Sequence, residues 1–165
     1  MSSRASTTTT ARGSRSSAAT TPHGEAWGQL SRTYAAVSLR LQEALAQGDY
    51  PPLPWFEVLA AVDAADRKRM RMGELAEALV MTRGGLTKLV DRLVKAGLLE
   101  RTYCEDDRRV SYATLLPAGA ELLDEMRPVI AGELDSAFSA RLSVREAREL
   151  RGILDRVQAS ACGNE

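Results

Sequence analysis

Four residues in the stretch Thr82–Gly97, TRGGLTKLVDRLVKAG, are side-chain donors at helical spacing: Arg83, Thr87, Lys88 and Arg92. A helix puts them on or near one side with Asp91 and Lys95, and turns Leu86, Leu89, Val90, Leu93 and Val94 to the other. Guanidinium, hydroxyl and ammonium donors along one exposed helix face suit base edges in a major groove, which admits a single α-helix. The start of such a helix also carries partial positive charge that suits phosphate. Thr82 is a ready N-cap. Gly84 and Gly85 then fall in the first turn, where each glycine costs about 1 kcal/mol relative to alanine. Bare backbone at the helix start would permit close approach to bases or phosphates; the alternative is a loose turn with the helix beginning at Leu86. A second cluster, EDDRR, places Asp107 two residues before Arg109, with Arg108 between. An arginine at a ribbon tip can enter a narrow minor groove, and a neighbouring aspartate would hold its orientation. Taken alone, this cluster also reads as a solvated charged turn.

Other chemistries find few residues. The single histidine is His23, and Cys104 and Cys162 make neither a disulfide framework nor a metal motif. There is no convincing nucleophile–base pair, no glycine-rich phosphate loop after a strand and no metal set, so an enzyme is not expected. Neither a metal nor another cofactor is expected. No apolar run reaches the roughly 18 residues of a membrane span, and the N-terminus lacks an apolar signal core. A reduced cytoplasmic setting and no membrane partner follow as expectations. Basic residues are mostly Arg, with Lys only at 68, 88 and 95, which with abundant Ala hints at a high-GC bacterial genome. The 22 basic and 22 acidic residues cancel overall. The balance is uneven along the chain: residues 66–116 carry a net +3 and residues 117–165 a net −3. A local basic surface is thus compatible with a neutral total.

These groups need elements to hold them. Residues 1–24 are rich in Ser, Thr, Ala and Arg and cannot bury enough apolar surface to order, so a disordered basic tail is expected. Leu30, Tyr34, Val37, Leu41 and Leu45 form a helical stripe over about 25–47, broken by GDYPPLP at 48–54. A shorter buried helix around Trp55–Val62 follows, then RKRMRM (67–72) as a basic loop and MGELAEAL as a short helix. After the helix that opens at Thr82, Gly97 is the expected stop. LLERTYC (98–104) and VSYATLL (110–116) alternate as strands joined by EDDRR, which gives a two-stranded hairpin. Pro117 starts a helix to about 140, and SVRE (Ser143 and Glu146) is a capping box for a last one. The predicted class is mostly α with a small β-hairpin wing (α+β): a winged helix-turn-helix flanked by long N- and C-terminal helices.

The order of LAEAL, LTKLVDRLVKAGLLER, the Asp107-x-Arg109 pair and a strand running into LL-PAG resembles the multiple antibiotic resistance regulator (MarR) family of transcription factors. The resemblance covers about 25–160. It implies a homodimer whose 25–47 and 117–160 helices intertwine, a DNA-binding lobe at 54–116, and a pseudo-palindromic double-stranded operator. It makes 82–96 the recognition helix, with Thr82, Arg83, Gly84, Gly85, Thr87, Lys88 and Arg92 at the DNA, and Asp107, Arg108 and Arg109 at the wing tip. It further implies a repressor released by a small, often aromatic or phenolic, effector; Trp27, Arg32, Tyr34, Arg40 and Trp55 are the candidate ligand residues. Leu116 stands where most relatives have Thr, which removes an N-cap but leaves Pro117 at its favoured first position. Some members sense oxidants through a cysteine in the first helix; neither cysteine here matches it. The competing expectation is a winged-helix protein-interaction module, which would want an apolar outer face on the 82–96 helix.

Overall fold

A computed structural model of the chain describes residues 21–103, 107 and 110–162. The expectations for Cys104, Arg108, Arg109 and the tail up to residue 20 lie outside the described residues. The chain divides into two compact units, Met1–Tyr34 and Ala35–Glu165. In the first, helix α1 (Pro22–Gln47) starts at Pro22, so residues 22–24 belong to a helix and not to a disordered tail. The local cause is a Thr-Pro start. Thr21 Oγ1 accepts the Gly24 N–H at 3.1 Å, and proline is pre-set for the first helical position.

In the second unit, Leu41 and Leu45 of α1 pack with Leu53, Met126 and Ile130. Helix α2 (Leu53–Asp63) begins inside the expected break, because Pro54 suits its first turn, and it buries Leu53, Val58, Leu59 and Val62. A 3₁₀ turn, Asp66–Lys68, follows. Arg67 and Lys68 both sit in the left-handed region, at φ 51° and 52°, a conformation that costs non-glycine residues energy. Asp63 holds this turn: its carboxylate meets Lys68 Nζ at 3.0 Å and Arg127 Nη2 at 2.5 Å. The hydrogen bond from Arg127, and then that from Lys68, keep the Asp63 carboxyl below its ordinary range.

The segment read as a basic loop is a strand. β1 (Arg69–Arg71) leads directly into helix α3 (Met72–Ala78). Helix α4 (Arg83–Lys95) comes next, then β2 (Leu99–Tyr103) and β3 (Ser111–Leu115). The expected two-stranded hairpin is therefore part of a three-stranded antiparallel sheet in the order β1-β3-β2. β3 is central, with Arg71 opposite Tyr112 on one side and Arg101 opposite Ala113 on the other. One sheet face carries Leu99, Ser111, Ala113 and Leu115 inward. Leu99, Ala113 and Leu115 join Val58, Leu59, Val62, Leu75, Leu86, Val90 and Leu93 in the main core.

Helix α5 (Pro117–Leu134) starts one residue after β3, with no side-chain cap at Leu116 and proline in its first turn. The Leu116 N–H donates to the Leu98 carbonyl at 3.1 Å. Gly119 lies so close to that turn that a Cβ would come within 2.2 Å of the Leu98 oxygen, so only glycine fits. The α-helix expected to reach 140 gives way at Asp135 to a π-helical turn, Asp135–Ser139. Helix α6 (Val144–Cys162) then follows. Its capping box forms as read: Glu146 Oε2 accepts the Ser143 N–H at 2.8 Å, and Ser143 Oγ accepts the Glu146 N–H at 3.3 Å. The fold is mostly helical with one small antiparallel sheet, as the sequence implied.

Candidate nucleic-acid interface

Sequence dictates α4 at both ends. Thr82 is extended at φ −66°, ψ 145°, and its Oγ1 accepts the Gly85 N–H at 3.2 Å. Gly97 ends the helix at φ +73°, a conformation that glycine adopts without strain. Leu86, Leu89, Val90 and Leu93 are buried and seat the helix on the core. Its opposite side stands clear: Arg83, Gly84, Lys88, Asp91, Arg92 and Lys95 are exposed, and Thr87 is partly so. The Thr87 hydroxyl donates to the Arg83 carbonyl at 2.8 Å, one turn back along the helix.

The two glycines separate. A Cβ on Gly85 would stand 3.0 Å from Thr82 Oγ1, the atom that caps the helix. A side chain at 85 would therefore have to displace the cap hydroxyl by a few tenths of an ångström. A Cβ on Gly84 would have nothing within 4 Å among the described atoms. No contact among the described residues asks for glycine there.

The structure gathers the α4 start with other elements. A cleft of about 420 Å³ is lined by Arg71, Glu74 and Glu77 from the β1–α3 segment, Arg83 and Thr87 from α4, and Ser111 from β3, among others. Arg71 Nε reaches the Tyr112 hydroxyl at 3.2 Å, and the Arg69 guanidinium stacks 4.0 Å over the Tyr112 ring. In the hairpin connection Asp107 is exposed, and its carbonyl accepts the Val110 N–H at 2.9 Å. Arg108 and Arg109 lie outside the described residues.

One constellation escaped the sequence reading. Arg101 of β2 turns inward from the hairpin, donates from Nη1 to Asp91 Oδ1 of α4 at 3.3 Å, and from Nη2 to Ser111 Oγ of β3 at 3.3 Å. The available signal was an arginine at an inward position of the LLERTY alternation, in reach of a helical aspartate ten residues earlier.

The expected ligand residues fall as follows. Trp27 and Tyr34 are each 68% exposed, and Arg32 Nη2 donates to Gln29 at 3.1 Å. Arg40 is engaged by Glu133 at 2.7 Å and Ser136 at 3.2 Å. Trp55 packs against the main core, half-buried. Neither Arg40 nor Trp55 lines the cleft beside α4. Glu57, on α2, is half-buried, and burial pushes its carboxyl above the ordinary range. Exposed apolar residues remain on α6, where Ile153 and Val157 are 49% and 53% exposed one turn apart. Among the described residues no helix is long and apolar enough to cross a membrane.

Known proteins share this arrangement. The family model described as MarR family matches residues 49–110. The chain is 26% identical over 132 residues to the HTH-type transcriptional regulator MhqR of Bacillus subtilis, covering 80% of this chain and 88% of that one. Sco3205, a MarR family transcriptional regulator from Streptomyces coelicolor solved in complex with DNA, superposes with a TM-score of 0.77 at 26% identity, over 85% of this chain and 88% of that one. The fold is shared at 22% identity with BpsR of Bordetella bronchiseptica, whose DNA binding is regulated by 6-hydroxynicotinic acid; the TM-score is 0.70, with 81% and 98% coverage. Residues 49–110 carry the winged helix-turn-helix of the MarR family, and the flanking helices follow in the same order as in these transcriptional regulators.

Proposed function

We propose that this regulator is a cytoplasmic homodimeric repressor that grips a pseudo-palindromic operator and is released by a small, often aromatic or phenolic, ligand. The observation that carries the reading is the outer face of α4: exposed Arg83, Lys88 and Arg92 around a bare Gly84 that nothing among the described residues requires. Donors on a helix that can lie flush in a major groove are what base-edge readout needs. A second copy would cover Ile153 and Val157 on α6 and set two α4 helices about 34 Å apart, one turn of duplex. The DNA complex of Sco3205 and the 6-hydroxynicotinic acid response of BpsR support the same reading. An effector that prefers another spacing of the two helices lowers operator affinity by its differential binding energy.

A protein-docking role for the winged helix is disfavoured by the same face, which offers no apolar patch. The test is a titration against a fluorescent duplex from the intergenic region upstream of the protein's own gene, with a scrambled duplex beside it, at two salt concentrations. Tight binding to the first alone, weakening steeply with salt, is the expected result. Lys88→Ala should then either reduce the salt slope by about one or relax sequence preference. Equal, weak binding to both duplexes would contradict the reading for that operator, and release by no aromatic acid would remove the effector from it.

A further inference from the structure

Asp91 is an anomaly on the face just described. It lies seven residues after Gly84, two turns along the same line of α4, between Lys88 and Arg92. A carboxylate there would repel phosphate. Its side chain is 58% exposed, yet it is not left to water: Arg101 meets it at 3.3 Å. The same guanidinium crosses the hairpin diagonally to Ser111 Oγ, 3.3 Å away, and lies 5.5 Å from the centre of the Tyr103 ring. Ser111 is the only buried polar residue among the described residues, at 8% exposure. Arg101 Nε is buried with no acceptor among the described residues. An unmet buried donor costs free energy, so the fork is not placed to satisfy all its donors. It is placed to span two elements.

We infer that Arg101 is a positioning residue for DNA binding: it braces the β2–β3 hairpin against α4 through Asp91 and Ser111, so that helix and wing present to two grooves in one fixed relation. The inference rests on the proposed operator binding but names residues that touch no base. Holding two contacting elements in register before binding avoids ordering them at the moment of binding. Arginine suits the task because its planar fork reaches two acceptors at once, which a lysine ammonium on a flexible stem does not reproduce. Asp91 serves as the anchor on α4, and Arg101 cancels its charge.

The test compares wild type with Arg101→Met, Arg101→Lys and the milder Ser111→Ala. Amide hydrogen exchange on the free protein is read at Thr102, Tyr103, Ser111 and Tyr112. Groove-specific footprinting and affinity are read on the upstream duplex. Arg101→Met should speed exchange in the hairpin about tenfold while the Leu86–Leu93 amides keep their protection. On DNA it should lose minor-groove protection, keep major-groove protection, and bind about tenfold more weakly, the size of one lost contact. Ser111→Ala should move the same readouts less. Arg101→Lys keeps the charge opposite Asp91 but should not restore hairpin protection. If lysine restores exchange and footprint in full, the role is charge cancellation and the brace is refuted. Unchanged hairpin exchange in Arg101→Met also refutes it. If wild type shows no specific footprint, operator binding fails at that duplex, and the exchange data still decide the brace.

Discussion

Gly84→Ala should raise stability and lower operator affinity, and the two signs can be worked out separately. The added Cβ meets nothing within 4 Å among the described atoms, and Gly84 sits in the first turn of α4 behind a formed cap. Replacing glycine by alanine at a compatible helical site gains about 0.5–1 kcal/mol, largely by restricting the unfolded chain. For a domain of this size that is roughly 1–4 °C in Tm, read at fixed protomer concentration because dimerisation shifts the midpoint. If α4 lies flush against DNA, the same methyl intrudes on the contact and costs roughly 1–3 kcal/mol of binding, about tenfold or more in Kd. Gly85→Ala is the control. Its Cβ would press on Thr82 Oγ1 at 3.0 Å, so the helix gain is offset by damage to a cap worth about 1 kcal/mol. Thermal melts and fluorescence titration of the two variants side by side decide the matter. Operator affinity unchanged in Gly84→Ala would end the close-approach explanation. A fall in its Tm would mean that the space beside residue 84 is not open.

Three further outcomes follow from packing and titration. Leu93→Ala removes a side chain with 0% exposure beneath α4 and should cost about 2–5 kcal/mol, seen as a Tm lower by about 5–15 °C. Gly119→Ala forces a methyl to within 2.2 Å of the Leu98 oxygen and 2.9 Å of Leu115 Cδ1; urea unfolding should show a loss of roughly 1–3 kcal/mol or more. Glu57→Gln tests a carboxyl raised above its ordinary 4.5 by burial. Since the folded state holds that proton more tightly, ionised Glu57 destabilises above the folded pKa, and the penalty fades as pH falls below 4.5. The glutamine variant should therefore melt higher than wild type at pH 7 and at the same temperature near pH 4.

The parts of α4 that local chemistry decides were readable: the Thr82 cap, the apolar stripe and the Gly97 stop all lie within a few residues of what they control. The Ser143–Glu146 box was readable for the same reason. β1 was not. Arg69–Met70–Arg71 has no β-branched residue, and its partners on β3 stand some forty residues later; only the sheet makes it a strand. The start of α1 was misplaced because the tail's composition outweighed a local Thr-Pro signal. The Arg101 brace was hidden because its three members come from three elements, and their meeting depends on how the hairpin packs on the helix. Gly84 and Gly85 looked alike as letters; the Thr82 oxygen beside one and empty space beside the other tell them apart.

The single-residue join between β3 and α5 makes the central strand and that helix one lever. Leu116 is bonded back to Leu98 and Gly119 is pressed on the same carbonyl, so the joint has little room to flex. Eighteen residues of helix make an arm of about 27 Å. A tilt of roughly 5° about that joint sweeps the distal end near Leu134 through about 2 Å, the scale of helix shifts that switch proteins between states. Run in reverse, a displacement of 2 Å at the far end returns to the sheet as rotation. The gearing is a property of backbone geometry, and it would operate whichever molecule supplies the push.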